Sequence, residues 1–293
     1  MIYDYLVSKS LEEADIFHGW NRHCFLSLKR AKELGAITVL QQINSHPLTQ
    51  YKLLSDEYRK YGKEWVPDPS MYWHLKELKE CDYVLIPSEF VKASFIENGW
   101  EEEKLILVLY GVDLNKFRPS DKRRGPFRAI FVGFVQLRKG IQYLLEAWES
   151  SNLPEAELLV VGRIMEDCKD IVKKYPCNNS IKFLGRTPNI PYQKADVFVL
   201  PSIEEGSAKV TYEAMACGLP SIVTYNTGSV VRDEVDGFVI PIRDVKALAD
   251  KIRYFYDNTQ EVKRMGKNAR KRAEAFSWEN YERRLVKAYS QLE

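Results

Sequence analysis

Residues 197–224 read VFVLPSIEEGSAKVTYEAMACGLPSIVT, and the order of apolar runs and breakers in this stretch decides the fold class. The first four residues are wholly apolar, as in a strand buried on both faces. Pro201, Ser202 and Gly206 break that run, and a helical pattern follows over 208–217. Gly218 stands where a helix end takes a left-handed residue, and Pro220 stops any continuation. A second apolar run, 221–223, completes a strand–loop–helix–strand unit, which implies a parallel sheet. Loops at the carboxyl ends of such strands are where this architecture binds ligands.

Two acids of the unit stand eight positions apart, Glu205 in the loop and Glu213 on the helix. Val210, Tyr212, Ala214, Met215, Ala216 and Cys217 make that helix apolar nearly all round, so it is expected to be buried. An unpaired carboxylate there would cost several kcal/mol. Glu213 is therefore either paired inside the protein or turned to a polar cavity that a ligand fills. Glu205 is either a plain helix-start acid, favoured by the backbone dipole, or a ligand contact.

Spaced acids alone are common. Preceded by Pro201-Ser202 and followed by Ala-Met-Ala-Cys-Gly-Leu-Pro at 214–220, they resemble the nucleotide-sugar-binding element of family 4 (group 1) retaining glycosyltransferases of the GT-B fold. The resemblance implies that Glu213 holds the donor ribose and Glu205 the transferred sugar. Many members carry Gly-Phe-Gly after the first acid, where this chain has Gly206, Ser207 and Ala208, so donor preference does not carry over. Residues 82–88 (DYVLIPS) and 110–119 (YGVDLNKFRP) resemble the same family at the end of its first domain.

The 293 residues suffice for two domains of ordinary size, and 45% hydrophobic with 29% charged residues is a globular composition. A net charge of +2 gives no reason to expect nucleic acid as a partner. No apolar run reaches membrane-span length, and the first residues lack the apolar core of a signal peptide. Cysteines 24, 81, 168, 177 and 217 form no C-x-x-C pair and read as free thiols in a reducing cytoplasm. The four histidines are dispersed, so neither a metal nor a cofactor is expected.

Residues 1–115 alternate helical patterns with short apolar runs at 15–18, 37–40, 82–86 and 106–109. The expected fold is α/β of GT-B type, two Rossmann-like doubly wound parallel-sheet domains, the first lacking its initial strands. A GT-B domain opens on a strand and a glycine-rich loop, whereas this chain opens on a polar, helix-like segment. Residues 1–120 are assigned to the first, acceptor-side domain, 121–276 to the nucleotide-sugar domain and 277–293 to a helix crossing back. The turn-rich, basic stretch 118–127 is the expected linker.

The second domain carries Gly133-Phe-Val-Gln-Leu-Arg-Lys-Gly140 before a helix. Cations at a helix start oppose the dipole by ~0.3–1 kcal/mol. Arg138 and Lys139 are therefore either a solvated pair or partners of a bound anion. In the family this loop supplies an arginine and a Lys-Gly pair to the donor diphosphate. Lys139-Gly140 matches, Phe134 stands where the arginine is expected, and Arg138 is the candidate replacement. Gly185 is expected to line the base pocket through its backbone, Gly206, Ser207 and Ala208 to bind the donor, and His18, Gly133 and Gly228 to contact donor or acceptor. The resemblance also places a first-domain histidine near the anomeric carbon: His46 is the first candidate and His18 the second, while His23 and His74 have no motif around them.

The expected reaction is sugar transfer, of hexosyltransferase type, from a UDP- or GDP-sugar to a glycan or lipid-linked acceptor with retained configuration, catalysed with His46, Glu205 and Lys139. The alternatives are a donor-binding but inactive GT-B module and a sugar-nucleotide epimerase of the same fold. The expected location is the cytoplasm, at the inner face of the membrane. The cations Lys263, Arg264, Lys267, Arg270, Lys271 and Arg272 on one late helix are either a solvated face or a peripheral membrane contact.

Overall fold

A computed structural model describes residues 2–120, 125–175 and 180–292. Residues 121–124 of the expected linker, and Cys177, lie outside the described residues. The fold is mixed α/β with two parallel sheets, of GT-B type. The chain divides into two units, Met1–Leu109 with Tyr281–Glu293, and Tyr110–Asn280.

The first unit runs α1 (Ile2–Ser10), β1 (Ile16–Trp20), α2 (Phe25–Glu33), β2 (Ile37–Gln41), α3 (Pro47–Lys60), α4 (Ser70–Glu80), β3 (Tyr83–Ile86), α5 (Glu89–Ile96) and β4 (Leu105–Leu107). Its four strands pair in sequential order, β1-β2-β3-β4, all parallel. Right-handed crossovers that always step the same way put their helices on one face of a sheet. Leu28, Leu78, Val91 and Phe95 pack there against Leu40, Val84 and Ile86. Local ends are fixed by sequence: Pro47 opens α3 behind His46, and Ser88 accepts the Val91 amide at the start of α5. Asp4, although on α1, serves as the cap for α2, accepting the amides of Leu26 at 2.8 Å and Ser27 at 2.9 Å.

The second unit runs β5 (Arg128–Val132), α6 (Ile141–Ser151), β6 (Glu157–Val161), α7 (Lys169–Val172), β7 (Ile181–Gly185), β8 (Val197–Leu200), α8 (Lys209–Ala216), β9 (Ser221–Thr224), β10 (Gly237–Ile240), α9 (Val245–Asp257) and α10 (Thr259–Glu274). Its sheet has the order β10-β9-β8-β5-β6-β7. Counted within the unit this is the doubly wound 3-2-1-4-5-6 pattern, whose direction reverses between β5 and β8. Strands β8 and β9 are buried along their whole length, in keeping with the apolar runs that encode them. Helix α11 (Trp278–Tyr289) belongs to the first unit from Tyr281 onward. There Tyr281, Leu285, Ala288 and Tyr289 pack on Val39, Leu85 and Val108, the sheet face that the one-way crossovers leave open.

At the reversal the loops after β5 and β8 touch. Gly140 has φ +69°, and a Cβ on it would stand 1.9 Å from the Pro201 carbonyl oxygen. Gly140→Ala combines a left-handed alanine with a backbone clash, so it should lower stability by about 2 kcal/mol or more. Urea unfolding measures this; a loss below about 0.5 kcal/mol would show that the loops do not meet so closely.

Candidate functional site

The loop after β5 ends in a single turn, Leu137–Lys139, which carries both cations. The Ile203 amide donates to the Arg138 carbonyl at 2.9 Å, and Arg138 Nε donates to the Glu204 carbonyl at 3.0 Å. The same guanidinium pairs with the Glu204 carboxylate at 2.8 Å, and that carboxylate is fully buried. Lys139 pairs with Glu205, which is 9% exposed. Arg138 and Lys139 are therefore not a solvated pair; each meets a carboxylate from the loop after β8. Burial, and then the Arg138 charge, bring the Lys139 ammonium down to about 7, with Glu204 pulling the other way. The Phe134 side chain, standing where the resemblance expects an arginine, is 55% exposed.

The residues around α8 sort differently. The Ser207 hydroxyl is turned inward, donating to the Gly228 carbonyl at 2.8 Å and lying 3.1 Å from the Tyr212 hydroxyl. The Ala208 amide donates to the Thr227 carbonyl at 3.2 Å. Ser207, Ala208 and Gly228 thus hold the loop after β9 beneath the start of α8. The amides of Lys209 and Val210, in the first turn, have no carbonyl partner among the described residues. Gly206 is buried between Glu205 and Ser207.

Glu213 is half-buried on α8 and has an internal partner: the Tyr192 hydroxyl donates to its Oε2 at 2.7 Å. Burial raises the Glu213 carboxyl, opposed by the Tyr192 hydrogen bond and by Lys116 and Lys209. Gly133 and Gly185 end β5 and β7 at φ +150° and +63°, and the Gly185 carbonyl accepts the Gly162 amide at 2.9 Å. A separate cleft of about 590 Å³, lined by Asp196, Gly218 and Lys263, lies at the amino ends of β8 and β9. That is the end of the sheet opposite to where this architecture binds ligands.

In the first unit, His46 is 5% exposed and ends the loop after β2. Its Nδ1 accepts the Leu48 amide at 3.3 Å, its own amide donates to Ser94 Oγ at 2.9 Å, and its ring meets Phe95 edge-on. With Nδ1 accepting, the neutral ring carries its proton on Nε2. His18 lies 2.8 Å through Nδ1 from the Tyr289 hydroxyl and packs edge-on against that ring.

Sequence reasoning missed a polar cluster beside His46. The turn after β1 places Arg22 at φ +74°, its amide and that of Cys24 donating to the buried Glu77 carboxylate at 2.5 and 2.8 Å. The Arg22 guanidinium reaches Gln50 at 3.1 Å. His74, one helical turn before Glu77 on α4, is 1% exposed, with neither ring nitrogen bonded among the described residues. Nothing local marks His74 or Glu77, because they join Arg22 only through the packing of α4 on α2. The cluster offers a cation and two neutral imidazoles at the carboxyl ends of β1 and β2.

Of the cations on α10, Arg264 pairs with Glu261, and Arg270 with Glu274 and the carbonyls of Phe117 and Ala216. Arg272 donates to the Val230 carbonyl, and Lys263, Lys267 and Lys271 form an exposed stripe. Cysteines 24, 81, 168 and 217 are buried and form no disulfide among the described residues. No helix among the described residues is long and apolar enough to cross a membrane.

The chain belongs to the glycosyl transferases group 1 family, whose sequence model matches residues 113–272, more than half of its length. Among individual relatives, YtcC of Bacillus subtilis, a glycosyltransferase by name, is 28% identical over 95% of this chain and 73% of its own. The D-inositol 3-phosphate glycosyltransferase of Corynebacterium urealyticum is 27% identical over 71% of this chain and 57% of its own. An Escherichia coli UDP-Gal:alpha-D-GlcNAc-diphosphoundecaprenol alpha-1,3-galactosyltransferase is 31% identical over 57% of this chain and 49% of its own. Apart from YtcC, the chain thus spans about half the length of these relatives. In fold it is similar to Anabaena Alr3699/HepE, solved in complex with UDP, with a TM-score of 0.80 and 19% identity over 99% of this chain and 82% of that one. Sucrose-phosphate synthase of Thermosynechococcus elongatus is similar at a TM-score of 0.75 and 24% identity, over 94% and 73%.

The two buried histidines make stability depend on pH. Burial lowers His46 from 6.5 to about 4; it lowers His74, helped by the charges of Arg22 and His46, to about 3. Both folded values lie below the unfolded one, so the unfolded chain binds protons first as pH falls. Their contribution is whole above pH 6.5 and is lost on the way down to about 4 and 3. His74→Gln should flatten the stability–pH slope between pH 6 and 4 by about one proton, or about 1.4 kcal/mol per pH unit. Urea unfolding at stepped pH measures the slope, and an unchanged slope would mean that His74 is not held neutral.

Proposed function

We propose that the chain is a family 4 retaining glycosyltransferase, moving a sugar from a UDP- or GDP-sugar to a glycan or lipid-linked acceptor at a membrane surface. The observation that carries this reading is the meeting of Lys139, Arg138, Glu204 and Glu205 between the loops after β5 and β8. That point is the reversal of a doubly wound sheet, where nucleotides bind in such folds. Group 1 family membership supports the transferase class, and the relatives that name an inositol phosphate or a lipid diphosphate support an anionic acceptor.

Breaking the bond from anomeric carbon to diphosphate leaves charge on the departing phosphate, and catalysis consists chiefly of stabilising it. Lys139 exchanges Glu205 for the diphosphate, and the Lys209 and Val210 amides at the start of α8 meet its other oxygens. Glu205, released from Lys139, binds hydroxyls of the transferred sugar. Glu213, oriented by Tyr192, accepts from the ribose hydroxyls. Arg138 keeps Glu204 and acts by holding the two loops in register. Attack on the face of the departing phosphate, which takes up the acceptor proton, preserves configuration without a side-chain nucleophile. In the first unit, His46 is the candidate catalytic histidine, with its proton on Nε2.

Calorimetric titration with UDP and GDP tests the reading, and failure of both to bind at millimolar concentration would end it. Lys139→Met should weaken the nucleotide that binds by about 30-fold, the worth of a hydrogen bond to a charged group. Glu213→Gln should weaken uridine or guanosine binding along with the diphosphate, by about tenfold.

A diphosphate also favours the charged form of Lys139, whose ammonium burial brings down to about 7. Binding should therefore take up as much as one proton at pH 8 and tighten as pH falls from 8 to 6. Titrations in buffers of different ionisation enthalpy read this uptake; Lys139→Met should abolish it.

A further inference from the structure

Helix α1 is built inside out. Its buried positions are Asp4 and Ser8, one turn apart, and Asp4 is spent on capping α2. Its apolar side chains face outward: Ile2, Tyr3, Tyr5 and Leu6 are 81%, 74%, 52% and 60% exposed. An amphipathic helix packed on its own core shows the reverse arrangement. The exposed surface continues over the helices beside it. Lys76 of α4 lies over the rings of Phe25, Tyr72 and Trp73, Lys29 over Phe25, and Lys9 over Tyr5. Tyr72 is itself 60% exposed. A groove of about 460 Å³ runs between α1 and α2 past Lys9, Lys29 and the Arg30–Glu33 pair.

We propose that this face of the first unit rests on an anionic lipid surface. Exposed apolar side chains of α1 and a stacked group of rings, Phe25, Tyr72 and Trp73, are interleaved here with lysines. Lys9, Lys29 and Lys76 have no carboxylate partner among the described residues. Tyr, Trp and Lys are the residues that sit at a bilayer boundary, the rings among headgroups and acyl chains and the ammonium groups on phosphates. The charge selects an anionic surface over a zwitterionic one. The contact then lies on the first unit rather than on the lysine stripe of α10. The inference rests on the proposed function only for the idea that the acceptor is lipid-linked.

Flotation of the full chain with vesicles of phosphatidylglycerol and phosphatidylethanolamine, against vesicles of phosphatidylcholine alone, tests it. Binding should be at least about tenfold stronger to the anionic vesicles. Ile2→Ser with Leu6→Ser should reduce it by about tenfold, and Lys29→Ala or Lys76→Ala by about fivefold each. Lys263→Ala with Lys267→Ala should leave it unchanged. Lys76 is partly buried and the other side chains are exposed, and an unchanged circular dichroism melt checks folding. UDP binding should be unaffected by the first-unit changes, so loss of nucleotide binding and loss of vesicle binding report on separate readings. Equal binding to both vesicles, or no effect of the serine changes, overturns the proposal. A dimer that the serine changes dissociate, with no flotation, would assign the face to a second copy of the chain.

Discussion

The second unit depends on a buried double ion pair. Arg138 and Lys139 come from one loop, Glu204 and Glu205 from another, and the two loops leave adjacent strands at the one point where the sheet reverses. Burying four charges carries a desolvation cost that their attraction roughly offsets, while removing one partner typically costs 3–5 kcal/mol. Such a cluster adds little net stability and much positional constraint. Arg138 shows the constraint directly, because its guanidinium holds both the carboxylate and the carbonyl of Glu204. Gly140 enforces the same closeness: a Cβ on it would strike the Pro201 carbonyl oxygen at 1.9 Å.

The first unit solves a different problem. Four parallel strands laid down in one direction gather their helices on one face, and a parallel sheet is stable only when both faces are covered. The cover for the second face comes from the far end of the chain, where Tyr281, Leu285, Ala288 and Tyr289 of α11 pack on Val39, Leu85 and Val108. This explains the fate of His18. On β1 it points to the side that α11 covers, and Tyr289 occupies its Nδ1. A histidine at the end of a short apolar run has no local mark showing which face it takes, since that is decided by a helix some 270 residues away.

What was legible in the sequence follows from how local each signal is. Residues 197–224 encode β8, α8 and β9 within a residue or so, because apolar runs, Pro201, Gly218 and Pro220 act on their own neighbourhood. Family resemblance pointed to the two loops that meet at the reversal of the sheet. It did not show that Arg138 would be taken by Glu204, because no local pattern marks Glu204 and its partner lies 66 positions away. Tyr192 as the partner of Glu213 was equally hidden, 21 positions upstream in an unremarkable loop. Arg22, His74 and Glu77 form one cluster only after α2 and α4 pack. Asp4 as the cap of α2 inverts the usual rule that a cap precedes its own helix.

The departure at Phe134 has a consequence for charge at the site. With an exposed phenylalanine where an arginine is expected, and Arg138 bound to Glu204, Lys139 is the cation of these loops that an incoming anion can claim. The cluster of two cations and two carboxylates has no net charge, so a diphosphate gains attraction there only by displacing Glu205. A displaced carboxylate beside a bound diphosphate would repel it unless something else engages the carboxylate. Sugar hydroxyls do so in the proposed reaction, whereas a nucleoside diphosphate without its sugar binds through Lys139 less tightly than the full donor. On this reasoning the sugar contributes to donor affinity through Glu205 as much as through its own contacts. A lysine, whose ammonium burial brings down to about 7, makes that exchange less costly than a permanently charged arginine would.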